Sequence, residues 1–371
     1  MASSFLGTYL KSVALGQNFN EKRPMSNAGS QMRPTTKDLA VEAGVSLATV
    51  DRVLNNRPGV RQDTIVKVNQ AIQKLGFIRN VVAANLARGK NYRFLFLLPR
   101  TGDEFLAGLI ARIHEANQSF AAEMIHADVM HIHESDPHQI ANVLGSLDLD
   151  QVDGIAIMAP ESPQVRDAKT RLIEKGIDTV SFIAGQIASD HDDFVGIDNH
   201  AAGATAGRLM GRFLERAEGA ILVIAETMLA RDSLERRLGF DELINTDYPH
   251  LTVLPSLETY GDAERTARII RNSLLSQRKI AGVYIVSSEA RVPLEVVTQV
   301  FAKDKPVIIA HERTPFTEAA LRSHQVDALI TQDPGHLVRS AIRILRARRD
   351  GREILASQEK IRIEVLIEEN L

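Results

Sequence analysis

The chain has 371 residues, enough for two or three domains, and 44% of them are hydrophobic, so it can bury sizeable cores. It contains no cysteine, which excludes disulfides and thiol chemistry and suits a reducing cytoplasm, and no apolar run reaches the length of a membrane helix. The net charge of −3 is unevenly distributed. Residues 33–93 carry eleven Lys and Arg against four Asp and Glu, a net of +7; residues 1–32 carry +2, and the remainder carries −12. A basic head on an acidic body is typical of a polyanion-binding head domain.

The first segment, residues 1–32, has little periodicity and several Ser, Asn and Gly. It lacks the layout of a signal or transit sequence. We interpret it as a disordered arm or as the product of a misplaced start, with Met32 or the nearby Met25 as the functional start.

The next segment, residues 35–56, predicts two short helices joined by a tight turn. A threonine can cap the first helix, Gly44 can end it, and Ser46 can cap a second helix over residues 47–54. This is the layout of a helix-turn-helix, whose second helix enters the DNA major groove. An ordinary helical hairpin in a packed core would have the same spacing.

A third helix is predicted from about Arg61 to Leu75 and ends at Gly76, which completes an all-α domain over residues 33–78. Residues 79–92 then form a weakly apolar run flanked by basic side chains. This run is too short to be a stable helix alone, but it could become helical against a partner or DNA.

The remainder alternates apolar strands with amphipathic helices, the pattern of a doubly wound parallel α/β fold repeated twice. The predicted strands are 94–98, 124–132, 154–158, 178–183, 220–225, 251–255, 282–286, 306–310 and 327–331. The predicted helices are 104–121, 137–147, 163–175, 200–217, 231–245, 261–277, 289–303, 315–323 and 335–350.

Three stretches together resemble the LacI/GalR family of bacterial transcriptional repressors. They are GVSLATVDRVLNN, KLGFIRN, and RNVVAANLARGK leading into FLFLLP. The resemblance covers everything after residue 32. It implies a DNA-binding domain at 33–78, a hinge helix at 79–92, and an effector-binding and dimerisation core at 93–371 similar to type I periplasmic binding proteins.

In this family the core has two subdomains, and the chain crosses between them three times. We place the crossings near Gly196, His311 and Gln332. The resemblance then implies a subdomain N of about 93–195 and 311–332, and a subdomain C of about 196–310 and 333–360.

By resemblance, Leu47 and Ala48 occupy the positions of the second helix that read base edges, and Arg52 is the third. Arginine suits a bidentate contact with guanine, whereas the other two offer only apolar contact. Asp51 departs from the small hydroxyl residue common at its position. It could be solvated, or it could pair with Arg52, with Arg57 or with a cytosine amino group.

Four further residues are predicted to contact DNA. Ser46, Thr49 and Asn55 are candidates for phosphate contacts, which position the protein without specifying sequence. Leu86 matches the hinge leucine that wedges into the minor groove and kinks the duplex in this family, a device shared by other minor-groove binders. The alternative is that Leu86 only packs the linker.

The resemblance also implies an effector cleft. Arg236 is the arginine three residues before a glycine that contacts the ligand in this family, and Asp232 lies one helical turn earlier. Asp103 and Phe105 follow the first strand of the core, where sheet ends build pockets, and Gln332 lies at the third crossing. Each could instead be a helix cap or a surface charge.

The acid that often follows the strand ending at Val286 is missing or is replaced by Glu289, since the chain reads Ser-Ser-Glu there. His131 and His133 share a strand face, but no carboxylate or cysteine completes a metal site with them. We expect no metal, no cofactor and, in the absence of a catalytic set, no enzyme activity.

These observations predict a cytoplasmic, homodimeric transcriptional regulator, most simply a repressor. It would bind a near-palindromic double-stranded DNA operator under the control of a sugar, sugar acid or polyol. The alternative is a soluble sugar-binding protein or an enzyme with an accessory helical domain and no specific DNA binding.

Overall fold

The computed structural model describes residues 34–54, 57–77, 91–100, 103–133, 136–185, 193–215, 218–274, 279–301 and 305–371. The chain divides into two compact units, residues 1–80 and residues 81–371. In the part of the chain that is described, none of the helices combines the length and apolarity needed to cross a bilayer.

Three helices form the first unit: α1 (Thr36–Ala43), α2 (Leu47–Leu54) and α3 (Gln62–Leu75). A capping box begins α1. The Asp38 carboxylate accepts from the backbone N–H of Thr35 at 2.7 Å, and the Thr35 hydroxyl accepts from the N–H of Asp38 at 3.4 Å. The hydrogen bond from the Thr35 backbone lowers the pKa of Asp38.

Gly44 ends α1 in the left-handed conformation, with φ of 63°, which only glycine adopts without strain. Leu39, Val50 and Val68, one from each helix, are fully buried and form the centre of the small core. Arg61, which precedes α3, makes no capping hydrogen bond with its side chain, as expected where a hydroxyl residue is lacking.

The second unit contains two sheets. The first is fully parallel, with strand order β2-β1-β3-β4-β5. Its strands are β1 (Tyr92–Pro99), β2 (Ile125–Ile132), β3 (Gly154–Ile157), β4 (Asp178–Phe182) and β5 (Asp193–Val195). The helices between them are α4 (Glu104–Ser119), α5 (Pro137–Gly145) and α6 (Pro163–Glu174).

The second sheet follows the order β12-β11-β10-β9-β6-β7, and β8 pairs with β6. Its strands are β6 (Gly219–Ala225), β7 (Leu251–Val253), β8 (Leu257–Glu258), β9 (Ile280–Ile285), β10 (Val307–His311), β11 (Ala328–Thr331) and β12 (Glu364–Leu366). Its helices are α7 (Asn199–Phe213), α8 (Arg231–Asp247), α9 (Ala263–Leu274), α10 (Arg291–Val300) and α11 (Pro315–Arg322). Only β12 runs antiparallel, against β11, among these described strands.

The expected division of the core into subdomains is wrong in its later part. Strands β10 and β11 pair with each other in the second sheet, so residues 311–332 belong to subdomain C and the chain does not cross at His311. The next helix, α12 (Pro334–Arg349), packs against β3 and β4 of the first sheet. The chain therefore crosses at Gln332 into subdomain N, and returns between residues 350 and 363.

The reason for this error is that a strand–helix–strand pattern looks the same in either sheet. Only long-range pairing distinguishes the two sheets, as where the side chain of Leu345 closes over Gly154. Every strand and helix predicted in the core has a counterpart near its predicted position, which confirms the α/β class. The predicted hinge helix, up to residue 90, and the predicted arm at residues 1–32 lie outside the described residues. Three short strands, β5, β8 and β12, were not predicted; each has only two or three residues.

Candidate functional site

The start of α2 is held by a hydroxyl cap. The Ser46 hydroxyl accepts from the backbone N–H of Thr49 at 3.1 Å, and the two hydroxyls lie 2.8 Å apart. The cap is exposed, so these two predicted phosphate contacts lie at the accessible N-terminal end of α2, where helix amides favour anions.

The predicted base readers lie on the outer face of α2. Leu47 is 47% exposed, and Ala48 and Arg52 are exposed beside it, while Val50 on the opposite face is fully buried. Packing of Val50 against the other helices therefore turns the three predicted readers towards solvent. Asn55 and Leu86, the other predicted DNA contacts, lie outside the described residues.

Asp51 forms an ion pair with Arg57, the partner that lies just beyond α2. Their charged atoms are 3.5 Å apart, and the two side chains are about half exposed. The pair offsets the negative charge of Asp51 beside the predicted phosphate contacts.

In the core, Arg236 of α8 is only 3% exposed and is held by three different segments. Its Nε donates to Asn199 Oδ1 at 2.9 Å, one terminal nitrogen donates to the carbonyl of Val286 at 2.9 Å, and the other lies 3.2 Å from Glu312 Oε1. The predicted effector arginine is thus the centre of a buried network.

Glu312 is the acid of this network, and it follows β10 directly. Its carboxylate accepts from the Thr331 hydroxyl at 3.0 Å and from Gln332 Nε2 at 3.1 Å. Burial raises the pKa of Glu312, while the charge of Arg236 and the hydrogen bonds oppose that rise. Its position at the carboxyl end of a central strand was a signal that sequence reasoning missed.

A second buried pair lies next to this network. Tyr284 and His311 are fully buried and share a hydrogen bond of 2.8 Å between the phenol and Nε2. Burial first, and the charge of Arg236 second, lower the pKa of His311 well below its usual value, so the imidazole is neutral. Gln332 Oε1 and His311 Nδ1 have no hydrogen-bond partner among the described residues.

The structure brings some of the predicted effector residues together. Arg236 and Gln332 meet on Glu312, while Phe105 and Gln332 line one cavity of about 670 Å³ between the subdomains. Asp103 caps α4 by accepting from the N–H of Leu106 at 2.9 Å.

The remaining two predicted effector residues lie at helix starts. Asp232 lies in the first turn of α8, and Glu289 accepts from the N–H of Arg291 at 2.8 Å. No described hydrogen bond joins either of them, or Asp103, to the Arg236 network.

The rings of His131 and His133, the two histidines considered for a metal site, contact other protein groups. His131 Nδ1 lies 2.9 Å from the carbonyl of Pro99, and His133 Nε2 lies 2.9 Å from the guanidinium of Arg100. Within the described ranges, no group of three or more His, Asp or Glu side chains is placed to hold a metal ion.

Two family profiles match the chain. Residues 35–80 match the profile described as bacterial regulatory proteins, lacI family, and residues 94–353 match a periplasmic binding protein domain. The second match covers more than half of the chain, and it lies within the two-sheet unit.

Curated relatives align over part of their lengths. The chain is 34% identical over 128 residues to catabolite control protein A of Priestia megaterium, covering 34% of this chain and 37% of that protein. It is 28% identical over 183 residues to the HTH-type transcriptional regulator RegA of Clostridium saccharobutylicum, covering 41% and 55% respectively. The alignments thus span about a third to about a half of these relatives.

Solved structures share the fold of the core at low identity. A glucose-galactose binding protein from Geobacillus stearothermophilus matches with a TM-score of 0.66 at 16% identity, covering 76% of this chain and 99% of that one. A periplasmic solute-binding protein from Actinobacillus succinogenes with bound D-allose matches with a TM-score of 0.67 at 15% identity, covering 76% and 99%.

Proposed function

The chain belongs to the LacI family of bacterial regulatory proteins, with a periplasmic-binding-protein core, and from this premise we propose that it is a sequence-specific transcriptional repressor. In this proposal it is a cytoplasmic protein without enzyme activity. It binds a near-palindromic double-stranded DNA operator as a homodimer, and a small effector in the core controls that binding.

One observation carries the DNA-binding part. The outer face of α2 presents Leu47, Ala48 and Arg52 above the buried Val50, on a head region with a net charge of +7. A soluble sugar-binding protein would have no use for an exposed arginine and two apolar side chains on a capped helix of a basic domain. A helix of this kind fits the major groove, where arginine reads guanine.

The test is selection of binding sites from random duplexes, followed by affinity measurements at low and physiological salt. We expect enrichment of a two-fold-related motif, bound about 10³-fold or more tightly than random DNA. Equal affinity for selected and random duplexes would instead indicate a protein without specific DNA recognition.

The effector part of the proposal rests on the Arg236 network. Arg236, Glu312 and Gln332 lie at one end of subdomain C, and Phe105 with Gln332 lines the cavity between the subdomains. A ligand with several hydroxyl groups could donate to Gln332 Oε1, which lacks a described donor, and stack an apolar face on Phe105. Asp103, Asp232 and Glu289 are proposed as contacts at the rim of the site.

The effector test is titration calorimetry with neutral sugars, polyols and sugar acids, alongside operator binding. We expect one member of the panel to bind and to change operator affinity, because a ligand acts only through a difference in affinity for two arrangements. No binding by any class would leave an unregulated repressor.

The homodimer is proposed because one helix-turn-helix reads one half-site, and paired copies read two-fold-related DNA. Light scattering at micromolar concentration is expected to give a dimer or larger. A monomer that bound a palindromic operator tightly would contradict this.

A further inference from the structure

One ion pair joins the two subdomains at the side of the cleft. Glu104 is the first residue of α4, which packs in subdomain N against α12 and β2. One of its carboxylate oxygens contacts the guanidinium of Arg291, the first residue of α10 in subdomain C. Glu104 and Arg291 are 187 positions apart along the chain, so only the tertiary structure brings them together.

The second carboxylate oxygen of Glu104 completes the start of another helix in subdomain C. It accepts from the backbone N–H of Phe316 at 2.9 Å, in the first turn of α11. Thr314 caps the next amide of that turn, and Pro315 has no N–H to offer. The amide of Phe316 therefore takes its acceptor from the opposite subdomain, where a carboxylate is also favoured by the helix dipole.

Glu104, Arg291 and Phe316 all contact one another. The guanidinium of Arg291 lies over the Phe316 ring, 4.3 Å from its centroid, so the arginine is held beside the same amide that Glu104 reaches. Glu104 also lines the cavity of about 670 Å³ together with Phe105 and Gln332. The side chains of Glu104 and Arg291 are 36% and 45% exposed, so water can replace their contact without leaving a buried charge.

We propose that Glu104 is a positioning residue that latches the two subdomains across the cleft through Arg291 and the first-turn amide of α11. The latch favours the arrangement in which Phe105 faces Gln332, and it releases when the subdomains separate. The regulatory consequence rests on the proposed function, in which an effector binds in the cleft. A latch that favours one arrangement of the subdomains raises the affinity of an effector that prefers that arrangement.

The structural test uses distance measurements between spin labels. The chain has no cysteine, so a single pair introduced at Gln139 in α5 and Arg268 in α9, both exposed, labels one site in each subdomain. Glu104→Ala and Arg291→Ala are each expected to shift or broaden the distance distribution. Each removes the link from a different side, so a purely local effect on one helix would not appear in both.

Asp167→Ala is the matched control. Asp167 also lies on a helix of subdomain N and bears the same charge, but it pairs with Arg171 within α6. We expect this variant to keep the wild-type distances. Wild-type distances in Glu104→Ala and Arg291→Ala as well would overturn the latch.

The regulatory test measures the affinity of the best ligand from the panel of sugars, polyols and sugar acids. Glu104→Ala should weaken it about threefold to tenfold, because binding must then supply closure that the latch supplied. Unchanged or tighter binding would overturn the regulatory role. If the distances change but no panel member binds the wild type, the latch stands and the effector part of the proposed function fails.

Discussion

Two arginines illustrate how position decides the use of one side chain. Arg236 is 3% exposed, and its guanidinium donates hydrogen bonds to Asn199, Val286 and Glu312. Arg52, in contrast, is exposed on the outer face of α2. The same guanidinium is thus a structural centre in the core and a candidate reader of DNA in the head.

Arg52→Ala is expected to cost about 1–3 kcal/mol at the selected operator and to relax base preference at one position per half-site. Affinity measured across single-base variants of the operator would test this. The control is Lys67→Ala on α3, which removes one positive charge from an exposed position in the same unit. A loss of equal size for all sequences would make Arg52 a phosphate contact only.

Arg236→Ala is expected to lower the free energy of unfolding by about 3–5 kcal/mol, because it leaves the buried carboxylate of Glu312 without its counter-charge. Urea unfolding measures this. The double variant Arg236→Met/Glu312→Leu should recover a large part of the loss. A single variant as stable as the wild type would show that the ion pair has no role in folding, and would make ligand titration on it straightforward.

His311 predicts a pH dependence of stability. Because burial holds its folded-state pKa well below 6.5, the folded chain keeps it neutral while the unfolded chain protonates it. Because only the unfolded chain takes up this proton, the free energy of unfolding falls as the pH drops below 6.5, by up to about 1.4 kcal/mol per pH unit. Urea unfolding of the wild type and of His311→Gln at several pH values should show a shallower slope in the variant.

At the scale of elements, helices α7 and α8 pack so closely that only glycine fits at two of their contact positions. A Cβ on Gly203 would overlap the backbone carbonyl of Arg236, and one on Gly239 would overlap the carbonyl of His200. This close approach positions Arg236 beside Asn199, so the packing of the two helices and the Arg236 network depend on each other.

Gly203→Ala should therefore destabilise the core by about 1–3 kcal/mol, since the added methyl group forces the helices apart. It should also weaken effector binding. Gly145→Ala in α5 is the control, because a Cβ there meets nothing within 4 Å and alanine favours a helix over glycine. Equal stability of the two variants in thermal unfolding would argue against the close contact.

At the scale of the whole molecule, the two units have separate hydrophobic cores. Leu39, Val50 and Val68 form one of them, while the sheets of residues 81–371 enclose the others. Each unit should therefore fold without the other, and DNA recognition and effector binding should be separable.

A fragment of residues 91–371 is expected to fold, dimerise and bind the effector with the affinity of the full chain, while losing DNA binding. Calorimetry and light scattering on the fragment and on the full chain would test this. A fragment that failed to fold would show that the head stabilises the core.

The sequence by itself determined which segments become helices and strands, and the family to which the chain belongs. Those signals are local: a capping hydroxyl at Thr35, a glycine at position 44, and alternation or three- to four-residue spacing of apolar side chains act over a few residues. The exposed face of α2 follows in the same way, because the apolar position at Val50 fixes which side turns inward.

Only the tertiary structure decided which sheet each later element joins and what Arg236 contacts. The pairing of β10 with β11, the return of α12 to the first sheet, and the Arg236–Glu312 contact across 76 positions depend on residues distant in the chain. A strand or helix of a given hydrophobic pattern packs equally well on either sheet until its neighbours are in place, so no local signal could reveal these choices.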